Sequence, residues 1–265
     1  MNTQKRLLTL AAALGCAAAL SMTMNVSADT TTDTAAETDI QDAVLISAET
    51  EDETADTDAP VTSAEYTTKT IDKSVTYQGK NATLTDTERY TRIVLQGDSD
   101  AVKKINRALR KACKEEVSQM PNSYDEDYLK NITYDTTYTN VHKSKVTYND
   151  NGVISIRVSY EWYQGGVADY GCKCYTFDLN TGKQLHLTDV CSGTNKSLTK
   201  KIKNRLLKAY GADTFMEDQF EKINAKKCDF YLNKKGKAVV AFDKYEIAEG
   251  AAGAFDVTLK SLYQK

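Results

Sequence analysis

The sequence predicts an α+β fold, an antiparallel sheet with two to three helices packed on one face. Three observations carry that class. From Ile154 to Trp162, apolar Ile154, Ile156, Val158, Tyr160 and Trp162 alternate with Ser155, Arg157, Ser159 and Glu161, the period of a strand with one buried face. Val102, Ile105, Leu109, Cys113, Val117 and Met120 recur at three-four spacing, the stripe of a helix buried along one side. Asp150-Asn151-Gly152 and Asn180-Thr181-Gly182 supply residues that tolerate positive φ between apolar runs, the chemistry of tight hairpins.

The elements follow in chain order. Strands are predicted over about 66–78 and 86–96. Asp98 and Ser99 open the first helix, whose remaining faces carry Lys103, Lys104, Arg107, Arg110, Lys111 and Lys114, and Pro121-Asn122 ends it. Such a cationic face is read as solvated rather than as a nucleic-acid surface. A period-two pattern runs between Ile132 and Tyr163, Gly165-Gly166 breaks it, and the next strand places Tyr175, Phe177 and Leu179 on one face with Cys172, Cys174 and Thr176 on the other. A helix over about 195–210 buries Leu198, Ile202, Leu206 and Tyr210 and stops at Gly211. Thr214 and Glu217 stand at capping-box spacing and predict a short third helix carrying Phe215, Phe220 and Ile223. Strands near 229–232, 238–242 and 255–259 complete the pattern.

The first 65 residues read differently. Lys5 and Arg6, a charge-free apolar run from Leu7 to Met22, and Val26-Ser27-Ala28 make residues 1–28 an export signal. The run is shorter than the roughly 20 residues that span a bilayer, so no transmembrane segment is expected after its removal. Ala13-Leu14-Gly15-Cys16 loosely matches a lipid-attachment box, the less favoured reading. Residues 29–65 hold 12 acidic residues and no Lys or Arg, the composition of a disordered tether. The whole chain has 34 Lys and Arg against 37 Asp and Glu, so the part predicted to fold, 66–265, carries about +7. An extracellular or cell-surface protein with an acidic tether on a basic domain follows, and anionic polymers are its natural electrostatic partners.

Candidate chemistry is sparse. His142 and His186 lie on or beside strands and outside any ligand motif, and no phosphate loop, metalloprotease helix or serine elbow occurs. Asp125-Glu126-Asp127 reads as solvated loop charge, and Asp178-x-Asn180-x-Gly182 as a turn rather than a calcium loop. His186 with Asp189 is the nearest thing to an acid-base pair. No cofactor and no metal are expected. Apart from Cys16, the cysteines are Cys113, placed on the buried helix stripe, and Cys172, Cys174, Cys191 and Cys228. Export favours disulfides for the last four. Cys172 and Cys174 are two apart on a strand, beyond the Cβ separation of about 3.5 to 4.5 Å that a disulfide needs, so each is expected to pair with one of Cys191 and Cys228. Free thiols and zinc are the alternatives, and redox exchange through Cys172 and Cys174 would require a thiol titrating well below its usual value of about 8.5.

Two segments, YEWYQGGVADYGCKCYTFDLNTGKQLHL (160–187) and KYEIAEGAAG (244–253), resemble the exported domain of RsiV-type anti-sigma-factor ectodomains, also found N-terminal to the catalytic domain of the peptidoglycan deacetylase PdaC. The resemblance implies an N-terminal lobe over 66–163 and a better-marked C-terminal lobe over 164–265, together one folded unit. It also implies a sensor or binding role, since RsiV-type members recognise lysozyme. Asp169 stands where the family commonly has histidine, and Glu249 and Gly250 replace its usual proline and tyrosine, so lysozyme contacts do not carry over residue by residue.

The expectation is therefore a secreted or surface-tethered binding module of the bacterial envelope without chemistry of its own. Its ligand is a cell-wall polymer or a lysozyme-like protein, met by Tyr163, Gln164, Asp169 and Tyr170. An envelope-acting hydrolase or a thiol redox protein is the alternative.

Overall fold

In the computed structural model, residues 60–117 and 124–262 are described. The predicted export signal, Cys16, most of the acidic tether and the Pro121 helix stop lie outside them. Five strands form one sheet in the order β1 (Tyr66–Gln78), β2 (Thr83–Leu95), β3 (Thr136–Asp150), β4 (Val153–Gln164) and β5 (Val167–Asp178). A second sheet holds β6 (Asp229–Leu232), β7 (Lys237–Phe242) and β8 (Phe255–Leu262). The helices are α1 (Asp100–Val117), α2 (Glu126–Lys130), α3 (Leu187–Val190), α4 (Asn195–Tyr210) and α5 (Glu217–Glu221). The class is the predicted α+β, with two differences of layout.

First, the large sheet is not wholly antiparallel: β2 and β3 run parallel. The chain leaves β2 through α1 and α2 and re-enters at the same end, the crossover that a parallel pair requires. Second, the long helices do not share a face. Buried Ile105, Leu109 and Cys113 of α1 pack against Ile154, Ile156, Val158 and Phe177 on one face of the large sheet. On the opposite face lies the small sheet, whose far side receives Leu198, Ile202 and Leu206 of α4 against Phe230, Leu232, Val240 and Phe242. The layers run α1, large sheet, small sheet, α4. Each fully buried aliphatic side chain in these two cores contributes about 1.5 to 3 kcal/mol, so α1 is anchored on the large sheet and α4 on the small sheet, each by its own apolar cluster.

The hairpins obey their turn residues. Asn151 and Gly152 take φ of 52° and 73° and close β3 onto β4, and Gly165 and Gly166, at 56° and 99°, close β4 onto β5. At the third turn, the Asp178 carboxylate accepts hydrogen bonds from the Asn180 and Thr181 amides, as expected of a turn. Thr214 does not cap α5. It sits in a 3-10 turn with its hydroxyl on the Tyr210 carbonyl, and Met216 takes the cap position. The end of the predicted tether is also ordered. Val61, Thr62 and Ala64 are hydrogen-bonded to Asn180, Gly152 and Asn149, so the chain from Val61 onward is strapped across the β3–β4 turn. The large sheet takes β5 from beyond residue 163, so it straddles the expected lobe boundary.

Candidate functional site

The strand period fixes which side chains share a face. Register pairs Thr139 with Tyr163, Val141 with Glu161, Lys143 with Ser159 and Lys145 with Arg157, and across β5 it pairs Glu161 with Tyr170, Ser159 with Cys172 and Arg157 with Cys174. All of these stand on the face that meets the small sheet. Where the small sheet stops short of the hairpin end, a cleft of about 290 Å³ opens, lined by Lys143, Arg157, Glu161, Tyr170, Cys172 and Asp243 among others.

The cleft wall is held by an unusual edge. β5 is the outermost strand, so the amides of Cys172 and Cys174 point away from the sheet with no strand to receive them. Two carboxylates of the small sheet accept them. Asp243 Oδ1 lies 2.7 Å from Cys172 N, and Asp229 takes the Cys174 amide. Burial pushes Asp229 above the usual carboxylate range, while Lys173, 3.8 Å away, and the Cys174 amide oppose that rise. The second oxygen of Asp243 accepts from Tyr160 Oη at 3.0 Å. Gly171 makes this possible, because a Cβ there would collide with both the Tyr160 hydroxyl and the Asp243 carboxyl.

Arg157 is the cation of the site. Its guanidinium lies 5.3 Å from the centre of the Tyr231 ring and 3.5 Å from Asp256, and the buried Nε has no hydrogen-bond partner. The Cys172 and Cys174 side chains share one small cluster, and Arg157 is the cross-strand partner of Cys174. The Cys174 thiol donating to Cys172, followed by Arg157, holds Cys172 below the ordinary thiol range against the opposing effect of burial. Cys174, the donor, is pushed up by the same contact and by burial. Nearer the hairpin tip, Lys143 meets Glu161 at 3.3 Å, and the Tyr170 and Tyr163 side chains are 51% and 44% exposed.

The four residues expected to form a contact patch are thus divided. Tyr163 and Tyr170 share the cleft face. Asp169 points the other way, paired across the strands with Trp162, and forms an ion pair with Lys244 at 3.5 Å. Gln164 sits at the turn itself, paired with Val167. Arg157, Lys143, Glu161 and Asp243 were missed, although Arg157 and Glu161 occupy the polar half of the alternation that located β4.

The expected disulfides of Cys172 and Cys174 with Cys191 and Cys228 are not formed. The small sheet intervenes: Cys172 and Cys174 pack with Ala241 and Tyr231 on one side of it, whereas Cys191 and Cys228 lie against the α4 core on the other. Cys113 is buried on the α1 stripe, as read from the sequence. His186 and Asp189 do not make an acid-base site. The Asp189 carboxylate accepts the His186 amide at the start of α3 and faces Lys183 at 3.6 Å. Asp125 caps α2 by accepting from the Asp127 and Tyr128 amides.

The opposite face of the large sheet hides a second polar group that the sequence did not betray. Glu88 and His142 are 2% and 4% exposed, and neither Glu88 carboxyl oxygen, nor His142 Nε2, has a hydrogen-bond partner. Burial, with smaller contributions from Asp86 and Glu116, raises Glu88 to about 7, although Lys73 opposes the rise, and burial lowers His142. His142 stacks on Tyr90 at 5.0 Å, and Asp86 accepts from Tyr124 Oη at 2.8 Å.

The two segments that carry the family resemblance meet along β5. Lys244 and Gly253 of the later segment stand against Asp169 and the Tyr170 hydroxyl of the earlier one. Residues 191–261 match the model of a family described as a protein of unknown function, DUF3298. A crystal structure of a DUF3298 family member from Bacteroides fragilis is similar in fold, with a TM-score of 0.55 and 17% identity over 75% of this chain and 92% of that one. A DUF3298 family protein from Pseudomonas aeruginosa aligns at a TM-score of 0.43 and 16% identity over 73% and 90% of the two chains. No curated protein matches. Among the described residues, no helix is long and apolar enough to cross a membrane.

Proposed function

We propose that this protein is a non-catalytic binding module of the bacterial cell envelope, secreted or held at the surface, whose cleft face takes an extended cell-wall polymer. The observation that carries the reading is the cleft itself. Tyr163 and Tyr170 lie exposed on one face beside Lys143, Glu161 and Arg157, flat aromatic surface interleaved with hydrogen-bonding charge. Aromatic faces stack on the apolar face of a sugar ring, while paired charges bind its hydroxyls and any carboxylate or phosphate substituent. The excess of about +7 on the folded part draws an anionic polymer toward the domain. The export signal read from residues 1–28, and the resemblance to exported sensor domains, support the location.

A lysozyme-like protein is the other ligand the resemblance suggests. It fits less well, because a strongly cationic partner would meet a cationic domain. The test is calorimetric titration of the full chain with soluble peptidoglycan fragments, with an anionic wall polymer and with lysozyme, at low and physiological salt. Saturable polymer binding that weakens with salt and is lost in Tyr163→Ala/Tyr170→Ala is the expected result. Binding of lysozyme alone, insensitive to salt and to those substitutions, would overturn it.

A further inference from the structure

Cys172 and Cys174 are the nucleophilic pair that the binding reading leaves unused. They alternate with Lys173 on the edge strand, so both side chains project from the same face, and both are buried, at 3% and 6% exposure. Two residues along a strand are about 6.6 Å apart, too far for the Cβ separation of about 3.5 to 4.5 Å in a disulfide. Both side chains nonetheless pack into one small cluster with Ala241 and Tyr231, so the two thiols face the same space.

That spacing suits a different bond. A linear sulfur–metal–sulfur unit, with two bonds of roughly the 2.3 Å found for a d¹⁰ metal thiolate, holds its sulfurs about 4.6 Å apart. Two side chains on one face, about 6.6 Å apart at the backbone, reach that sulfur separation by choice of rotamer rather than by a bend in the strand. Zinc in a structural site takes four ligands in a tetrahedron. Among the described residues no third Cys, His, Asp or Glu joins this pair into a metal-ligating group. A two-sulfur, two-coordinate site selects a soft monovalent ion, and thiolate ligands favour Cu(I) over harder cations. We propose that Cys172 and Cys174 bind one Cu(I) ion in a linear bis-thiolate site, with Arg157 as its counter-ion.

The charges agree. One Cu(I) and two thiolates carry a net charge of −1, and Arg157, the cross-strand partner of Cys174, supplies the positive charge next to them. Its buried Nε lacks an acceptor, a deficit that a second thiolate would fill. Both cysteine protons leave on binding, to solvent through the cleft that Cys172 lines. Ala241 and Tyr231 close the apolar side and keep water from the metal. Asp229 and Asp243 stay engaged by the Cys174 and Cys172 amides, so the carboxylates hold the strand while the sulfurs hold the ion. The site shares Arg157 and the Cys172 wall with the cleft, but copper binding and polymer binding are measured separately, so either reading can fail without the other.

The full chain, reduced and kept anaerobic, should compete with a chromophoric Cu(I) chelator for one equivalent of Cu(I). X-ray absorption on the loaded wild-type protein should then show two sulfur neighbours and no nitrogen or oxygen ones. Cys172→Ser and Cys174→Ser should each weaken binding at least 100-fold, Arg157→Met about 10-fold, and a Cys113→Ala/Cys191→Ala/Cys228→Ala variant should bind as wild type. The wild-type spectrum keeps the test valid if a serine variant misfolds. Three or more sulfur neighbours, nitrogen or oxygen coordination, or failure of the wild-type protein to compete for copper would overturn the proposal.

Discussion

The two faces of the five-stranded sheet treat charge in opposite ways. On the cleft face Lys143 meets Glu161, Arg157 meets Asp256 and Asp243 caps the strand edge, so charges are paired beside an open cleft. On the other face both Glu88 carboxyl oxygens and His142 Nε2 are buried without a hydrogen-bond partner. Paired charge at the rim of a cleft is available to a ligand at little energetic cost. A carboxyl buried without a partner is instead kept neutral. The contrast teaches that perturbed titration alone does not find the functional face here: the largest carboxyl shift belongs to a closed site.

The largest expected effect tests the core that separates these faces. Ile156, fully buried under α1, should cost about 3 to 4 kcal/mol when replaced by alanine, read as a fall in the urea midpoint at unchanged m-value. On the cleft side, Gly171→Ala should cost about 2 to 3 kcal/mol, because the added methyl displaces Tyr160 or Asp243 and uncaps the Cys172 amide. A cost below half a kcal/mol would mean that the Asp243 cap does not hold the edge.

Glu88 sharpens the comparison through its sign. Folded, it keeps its proton to about pH 7, against an ordinary value of 4.5. Its neutral form therefore stabilises the fold fully below pH 4.5, and that contribution is lost as pH rises through 7. Glu88→Gln stays neutral at every pH, so it should gain roughly 2 to 3 kcal/mol over wild type at pH 8 and almost nothing at pH 4, in paired urea titrations. His142 works in the other direction. Burial depresses it below its ordinary 6.5, so the stability it contributes is present above that value and lost as pH falls. A gain from Glu88→Gln that is equal at both pH values would show that the carboxyl is not neutral in the fold.

At the small end, Lys143→Ala removes an ion pair whose side chains are 67% and 65% exposed, and should change stability by less than about 0.5 kcal/mol while still weakening polymer binding. Equal losses of stability and affinity would make that rim structural rather than recognitive.

Most strands, the long helices and the hairpins were legible because their signals are local. Asn151-Gly152 and Gly165-Gly166 turned the chain as their chemistry demands, and the α1 and α4 stripes buried the expected side chains. The parallel pairing of β2 with β3 was not legible, since the return path through α1 is a tertiary choice that no residue in either strand encodes. Of the four residues expected to form a contact patch, only the shared face of two was legible. Period two put Tyr163 and Tyr170 together, but the same alternation sends Asp169 to the far face, where Lys244 occupies it. The cysteine pairing failed because distance along the chain cannot reveal that a sheet stands between two pairs of thiols. Asp86 and Glu88 share the buried face of β2 with Leu84 and Tyr90, a burial of carboxylates that their polar segment, TLTDTERY, does not announce.

Backbone amide shifts of the full chain, followed as a soluble wall-polymer fragment is added, test the central claim most directly. The account predicts saturable shifts centred on the cleft face from Lys143 through Arg157, Glu161, Tyr163 and Tyr170, with the region around Glu88 and His142 unmoved. Shifts centred on the lysine face of α1 or around Glu88, or no shifts at all, would contradict it.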